Sequence, residues 1–105
     1  MIIYNTTFHV EDKLVNEYLQ YIKQVYLPEA MQQGFLMHPR FCKVLTTQEG
    51  QEGSCFSLQF SVKDMDTFND WFEKTGCFLQ KRLLAHFRNG VLCFSTFLDE
   101  MTLES

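Results

Sequence analysis

Apolar residues in this chain recur with a period of two, then at helical spacing, then with a period of two in two successive segments. Helical spacing then returns, and a last period-two segment follows. This order constrains the fold more than any other property of the sequence. A strand sends alternate side chains to opposite faces, whereas a helix gathers every third or fourth onto one stripe. The chain has 105 residues, enough for one domain with one continuous core.

Residues 2–10 alternate, with Ile2, Tyr4, Thr6, Phe8 and Val10 on one face and Ile3, Asn5, Thr7 and His9 on the other. Glu11 and Asp12 end this strand and suit the start of a helix, which carries Leu14, Val15, Tyr18, Leu19, Ile22, Val25 and Tyr26. Pro28 should kink or restart that helix near Tyr26–Leu27, and Gly34 suits the position just past its end. A second strand is expected from about Phe35 to Thr46. Pro39 cannot donate to a ladder, so this strand belongs at a sheet edge. The polar, glycine-containing stretch at 46–54 reads as a hairpin loop. Strand three, Cys55–Val62, sets Phe56, Leu58, Phe60 and Val62 against Cys55, Ser57, Gln59 and Ser61. Asp64 and Asp66 are N-cap candidates for a second helix bearing Phe68, Trp71, Phe72, Leu79, Leu83 and Phe87. Gly76 weakens that helix midway, Asn89-Gly90 ends it, and Val91–Leu98 forms strand four.

Strand, helix, strand, strand, helix, strand specifies a ferredoxin-like βαββαβ fold of the α+β class. Two right-handed halves interleave into a four-stranded antiparallel sheet of order 4-1-3-2 with both helices on one face. The domain is expected to span residues 1–98, with a frayed acidic tail at 99–105. The wholly apolar set of strand three must lie under the helices. Ile3, Asn5, Thr7 and His9 then share the open face with Cys55, Ser57, Gln59 and Ser61. Strand four is apolar on both sides, with Leu92, Phe94 and Leu98 opposed to Val91, Cys93 and Phe97. That, and a load of 11 Phe, favours a homodimer packed sheet to sheet in the manner of a dimeric α/β barrel.

Nine basic and 13 acidic residues give a net charge of −4 with no basic cluster, which argues against nucleic-acid and anionic-membrane partners. No apolar run approaches the ~20 residues of a membrane span. The N-terminal segment alternates like a strand and is not a signal peptide, so the expected location is cytoplasmic. Cys42, Cys55, Cys77 and Cys93 form no CxxC pair, and neither a metal nor a cofactor is expected.

The opening IIYN with its acidic helix start, LPEAMQQGF across the end of helix one, and the closing FLDEM resemble a family of short bacterial proteins, the domain-of-unknown-function family 4286. The resemblance covers essentially the whole chain. It implies the fold and a relation to the dimeric α/β-barrel superfamily of cofactor-independent monooxygenases and haem-degrading enzymes; no catalytic residue carries over from it. Comparison with the haem-degrading branch directs attention to Asn5, Trp71 and His86, which occupy the elements used there. Trp71 and His86 are further apart than in that branch, which alters their relative direction on the helix. The plainer reading makes Trp71 core, Asn5 a strand-face polar group and His86 a solvated helix-end residue favoured by the helix dipole. A cofactor-free oxidative site would instead be lined by Tyr4, Asn5, Tyr18 and Trp71. His38 and Arg40 on the edge strand would either hold a carboxylate or phosphate or guard the edge against association.

Three other functions of this strand order are excluded. Strand three lacks the basic-Gly-aromatic opening of an RNA-recognition domain, and the loop after strand one, HVED, has neither the CxxC of a heavy-metal carrier nor the Arg and glycines of a phosphate cradle. The sequence thus points to a homodimeric, non-catalytic small-ligand or interaction module. A monooxygenase-like or haem-degrading-like enzyme is the alternative.

Overall fold

A computed structural model describes residues 1–45 and 52–103. Most of the expected loop at 46–54 and the last two tail residues lie outside them. Strand β1 is Ile2–Val10, β2 Leu36–Lys43, β3 Ser54–Val62 and β4 Val91–Asp99, in one antiparallel sheet of order β2-β3-β1-β4. This is the expected 4-1-3-2 arrangement read from the other edge. β1 is central, with Tyr4 opposite Phe60 on one side and Phe97 on the other.

The alternation of β1 and β3 translates directly into burial. Tyr4, Thr6, Phe8 and Val10 of β1 and Phe56, Leu58, Phe60 and Val62 of β3 are buried beneath the helices, and the intervening residues are only partly covered. Each large apolar side chain buried this way contributes about 1.5–3 kcal/mol of transfer free energy, an upper range for compact unfolded chains. β2 is the edge strand that Pro39 demands. Its register slips between Met37 and Arg40, and His38 sits at φ 51. The extra residues form a bulge, with Pro39 where no ladder donor is needed. β4 runs one residue further than expected, to Asp99, and the Glu100 amide donates to the Met1 carbonyl at 3.0 Å.

Both helices contain a wide turn that simple periodicity does not reveal. The first is α-helical over Val15–Tyr21, forms a π turn over Ile22–Tyr26, and resumes α geometry over Leu27–Met31. The restart puts Pro28 in a first turn, where its missing N–H is no loss. Gly34, at φ 75, ends the segment and donates to the Met31 carbonyl. The second helix comprises Met65–Trp71, a π turn over Phe72–Gly76, and Cys77–Phe87. Asp64 is its N-cap, accepting from the Thr67 amide at 2.8 Å and the Thr67 hydroxyl at 2.7 Å. Those bonds hold the Asp64 carboxyl below its usual range.

Gly76 has a specific packing role. Its backbone lies against the indole of Trp71, whose Nε1–H donates to the Ala30 carbonyl of the first helix at 2.9 Å. Glycine here gives the ring its place between the two helices and the sheet.

Candidate functional site

Cover over β4 thins along the strand. Val91 is fully buried under the second helix and Cys93 is half-buried, whereas Ser95 and Phe97 on the same side are exposed, Phe97 by 42%. At this end Phe68 of the second helix packs 4.7 Å from the rings of both Tyr4 on β1 and Phe97 on β4. A groove of about 420 Å³ remains between helix and strand edge. Tyr4, Phe68, Phe72 and Phe97 form its walls, and Asn69, Gln80 and Ser95 supply polar groups. Tyr4 and Phe97 stack at 5.4 Å and 19°, so the groove has one flat aromatic side.

The polar groups are held from beneath. Thr6, a buried polar residue, shares a 3.0 Å hydrogen bond with the Ser95 hydroxyl. Gln80 Nε2 donates to Cys93 Sγ at 3.6 Å. Burial pushes the Cys93 thiol up, opposed by that bond. Deeper in, burial drives the Tyr26 phenol above its usual range, helped by Tyr4 and Cys93. Burial likewise raises Tyr18, with contributions from Tyr26 and Cys93. These phenols are neutral donors at physiological pH.

The sequence singles out five residues, and the structure separates them. Tyr4 lines the groove. Trp71 lies directly behind it, 5.7 Å from Tyr4 and fully buried, with its N–H satisfied by Ala30. Tyr18 is fully buried at the other end of the helix face, among Phe8, Phe56 and Phe87. Asn5 points from the opposite face of the sheet, where its amide oxygen accepts from Ser57 at 2.6 Å. His86 is on the outside of the helix pair, 3.3 Å from Glu17 and 5.0 Å from the ring of Tyr21. Asn5 and Trp71 therefore do not face a common space. Phe97, Gln80 and Ser95 are groove residues that sequence reasoning misses; the available signal is that Ser95 interrupts the otherwise apolar helix-facing run Val91, Cys93 and Phe97 of β4.

The Tyr18 hydroxyl has no hydrogen-bond partner despite complete burial. An unpaired buried hydroxyl bears its desolvation cost without return. Tyr18→Phe is accordingly expected to stabilise the protein by about 1 kcal/mol, read as a higher urea midpoint at unchanged slope. A lower midpoint would mean that the hydroxyl has a partner in solution.

Among the described residues no group of three or more His, Cys, Asp and Glu is placed to hold a metal ion, and no helix is long and apolar enough to cross a membrane.

Solved structures share this architecture at low sequence identity. An uncharacterised NIPSNAP domain protein from Burkholderia xenovorans superposes with a TM-score of 0.71 at 15% identity, covering 100% of this chain and 99% of that one. A putative antibiotic biosynthesis monooxygenase from Deinococcus radiodurans gives 0.68 at 14% identity, over 100% and 97%. A dimeric ferredoxin-like protein from an uncultured marine organism gives 0.57 at 18%, over 92% of each chain. At these identities the likeness is one of fold. No curated protein matches the chain. The profile of one family, described as Domain of unknown function (DUF4286), matches residues 1–101, and the chain belongs to that family.

Proposed function

We propose that this protein is a homodimeric, non-catalytic small-ligand-binding module of the cytoplasm. Its ligand would be a flat, largely apolar molecule carrying one or two hydrogen-bonding groups. The observation that carries this reading is the groove itself, which pairs a stacked, half-open aromatic wall with an amide and a hydroxyl held at its margin. Among the described residues its lining includes no carboxylate, imidazole or ammonium group. Support for the dimer comes from the open face of β4, where Leu92 is 61%, Phe94 64% and Leu98 44% exposed. Neighbours in fold described as dimeric ferredoxin-like proteins agree with it. Four cysteines, all free, suit a reducing compartment.

Trp71 is the single tryptophan and sits behind the groove, so its fluorescence reports occupancy. With 2-naphthol as probe, quenching is expected to saturate at one molecule per chain. Phe97→Ala should weaken binding by about ten-fold, the scale of one lost aromatic stacking contact. Quenching that never saturates, or that ignores Phe97, would remove the groove as the site.

A second reading follows from the likeness to a putative antibiotic biosynthesis monooxygenase. Here the same groove would hold a hydroquinone while dioxygen oxidises it. Oxygen uptake with 1,4-dihydroxynaphthalene separates the two readings. Saturable uptake above the uncatalysed rate, lost in Phe97→Ala, would make the protein an enzyme; uptake equal to the uncatalysed rate favours the binding module.

A further inference from the structure

The hydrogen-bonding groups at the margin of the groove are not neutral in direction. A carboxamide offers donors at one end and an acceptor at the other, so what it recognises depends on which end is already engaged. Gln80 uses its nitrogen on Cys93, with Nε2 donating to Sγ at 3.6 Å. Burial keeps that thiol neutral, with lone pairs to receive the bond. Among the described residues the Gln80 carbonyl oxygen receives no hydrogen bond. Ser95 has the same bias. A hydroxyl carries one proton and two lone pairs, and Ser95 shares a bond with the buried Thr6. If Thr6 donates, Ser95 keeps one lone pair; if Ser95 donates, it keeps two. In either arrangement Ser95 can still accept.

Both residues line the groove beside the stacked rings of Tyr4 and Phe97. With the nitrogen of Gln80 drawn to Cys93, the carbonyl end is the one left to the groove. Resting on the groove as the ligand site, we propose that Cys93 orients the Gln80 amide so that the groove takes its ligand as a hydrogen-bond donor. The ligand class is then a neutral phenol or quinol, rather than the corresponding ether or quinone. Gln80 is the residue that meets the ligand, and Cys93 is a positioning residue behind it. The discrimination comes from mismatch. An ether or carbonyl oxygen set against these lone pairs leaves both partners without a bond, whereas a hydroxyl satisfies them. An anionic ligand is disfavoured as well, since among the described residues no ammonium or guanidinium group lines the groove.

The test compares 2-naphthol with 2-methoxynaphthalene, which keeps the flat rings and the oxygen but has no proton to give. Read by quenching of Trp71, wild type should bind 2-naphthol about ten-fold more tightly, the scale of one hydrogen bond set against an unpaired acceptor. Gln80→Met removes the acceptor at nearly the same side-chain length and should bring the two affinities to within about three-fold. Gln80→Glu, which accepts but has no N–H to donate, should keep the preference. Cys93→Ala frees the amide to present either end, so 2-methoxynaphthalene should gain affinity while 2-naphthol changes little. Gln80 and Cys93 are only partly buried, and melting temperatures close to wild type check that each variant folds. Equal binding of the two probes by wild type, a preference lost in Gln80→Glu, or one unchanged in Gln80→Met or Cys93→Ala would overturn this orientation and leave the groove standing. Failure of both probes to saturate would overturn the groove and this inference with it.

Discussion

Gly76→Ala should lower the melting temperature by more than about 10 °C, whereas glycine to alanine inside a helix ordinarily stabilises by ~1 kcal/mol. The reversal comes from the indole of Trp71. A Cβ on residue 76 would lie 2.6 Å from Trp71 Cη2 and 2.7 Å from Cε3, well inside contact distance. The ring cannot easily withdraw. It is fully buried, packs within 5.7 Å of both Tyr4 and Phe68, and donates its N–H to Ala30 at 2.9 Å. Overpacking of this kind costs about 3 kcal/mol, more than the lost flexibility of glycine returns. Urea unfolding of Gly76→Ala beside Gly76→Ala/Trp71→Phe measures the coupling. If the two changes interact through the ring, the smaller side chain should recover part of the loss. A stabilised Gly76→Ala protein would show that the packing between helix and ring is looser than the structure has it.

The second large effect concerns assembly. Phe94→Glu should weaken the proposed dimer by at least about 100-fold while leaving each chain folded. Phe94 stands opposite Thr7 in the middle of β4, on the open face, and is 64% exposed in the single chain. A carboxylate there would be taken out of water by the partner with no cation to meet it. Sedimentation at micromolar protein gives the answer, with circular dichroism as the folding control. A Phe94→Glu variant as tightly dimeric as wild type would place the contact elsewhere on the molecule. This variant tests whether the open faces meet.

Sequence pattern makes the sheet legible because its signals are local. Phe56, Leu58, Phe60 and Val62 are apolar at alternate positions with small or polar residues between them, and no other face could take them inward. Pro39 excludes an interior position for β2 for a reason confined to one residue, its missing N–H. The two π turns are not legible, since the buried positions Tyr18, Ile22, Tyr26 and Ala30, spaced by four across the first of them, still read as ordinary helical spacing. Gly76 reads in the sequence as a weak point of the second helix, and only the position of the Trp71 ring shows why it is there. The groove is hidden for a similar reason. Ser95 and Phe97 are on the helix side by alternation, and their exposure depends on how much of β4 the second helix covers, which strand alternation does not give. Asn5 and Trp71 share no face because the first sits at an odd position of β1, so proximity inferred from element order alone could not bring them together.

The register of the central strand has a consequence for how the chain reaches its fold. β1 is synthesised first, yet its outer neighbour is the last strand to be made, with Ile2 opposite Asp99 and Val10 opposite Val91. Until that final segment emerges, one whole edge of β1 has unmet amides and carbonyls, and the nascent sheet can comprise only the other three strands. Pairing between such distant segments requires closing a loop of nearly the entire chain, which places folding on the slower side for a domain of this size. Tyr4 thus acquires its stacking partner Phe97 only in the closing step.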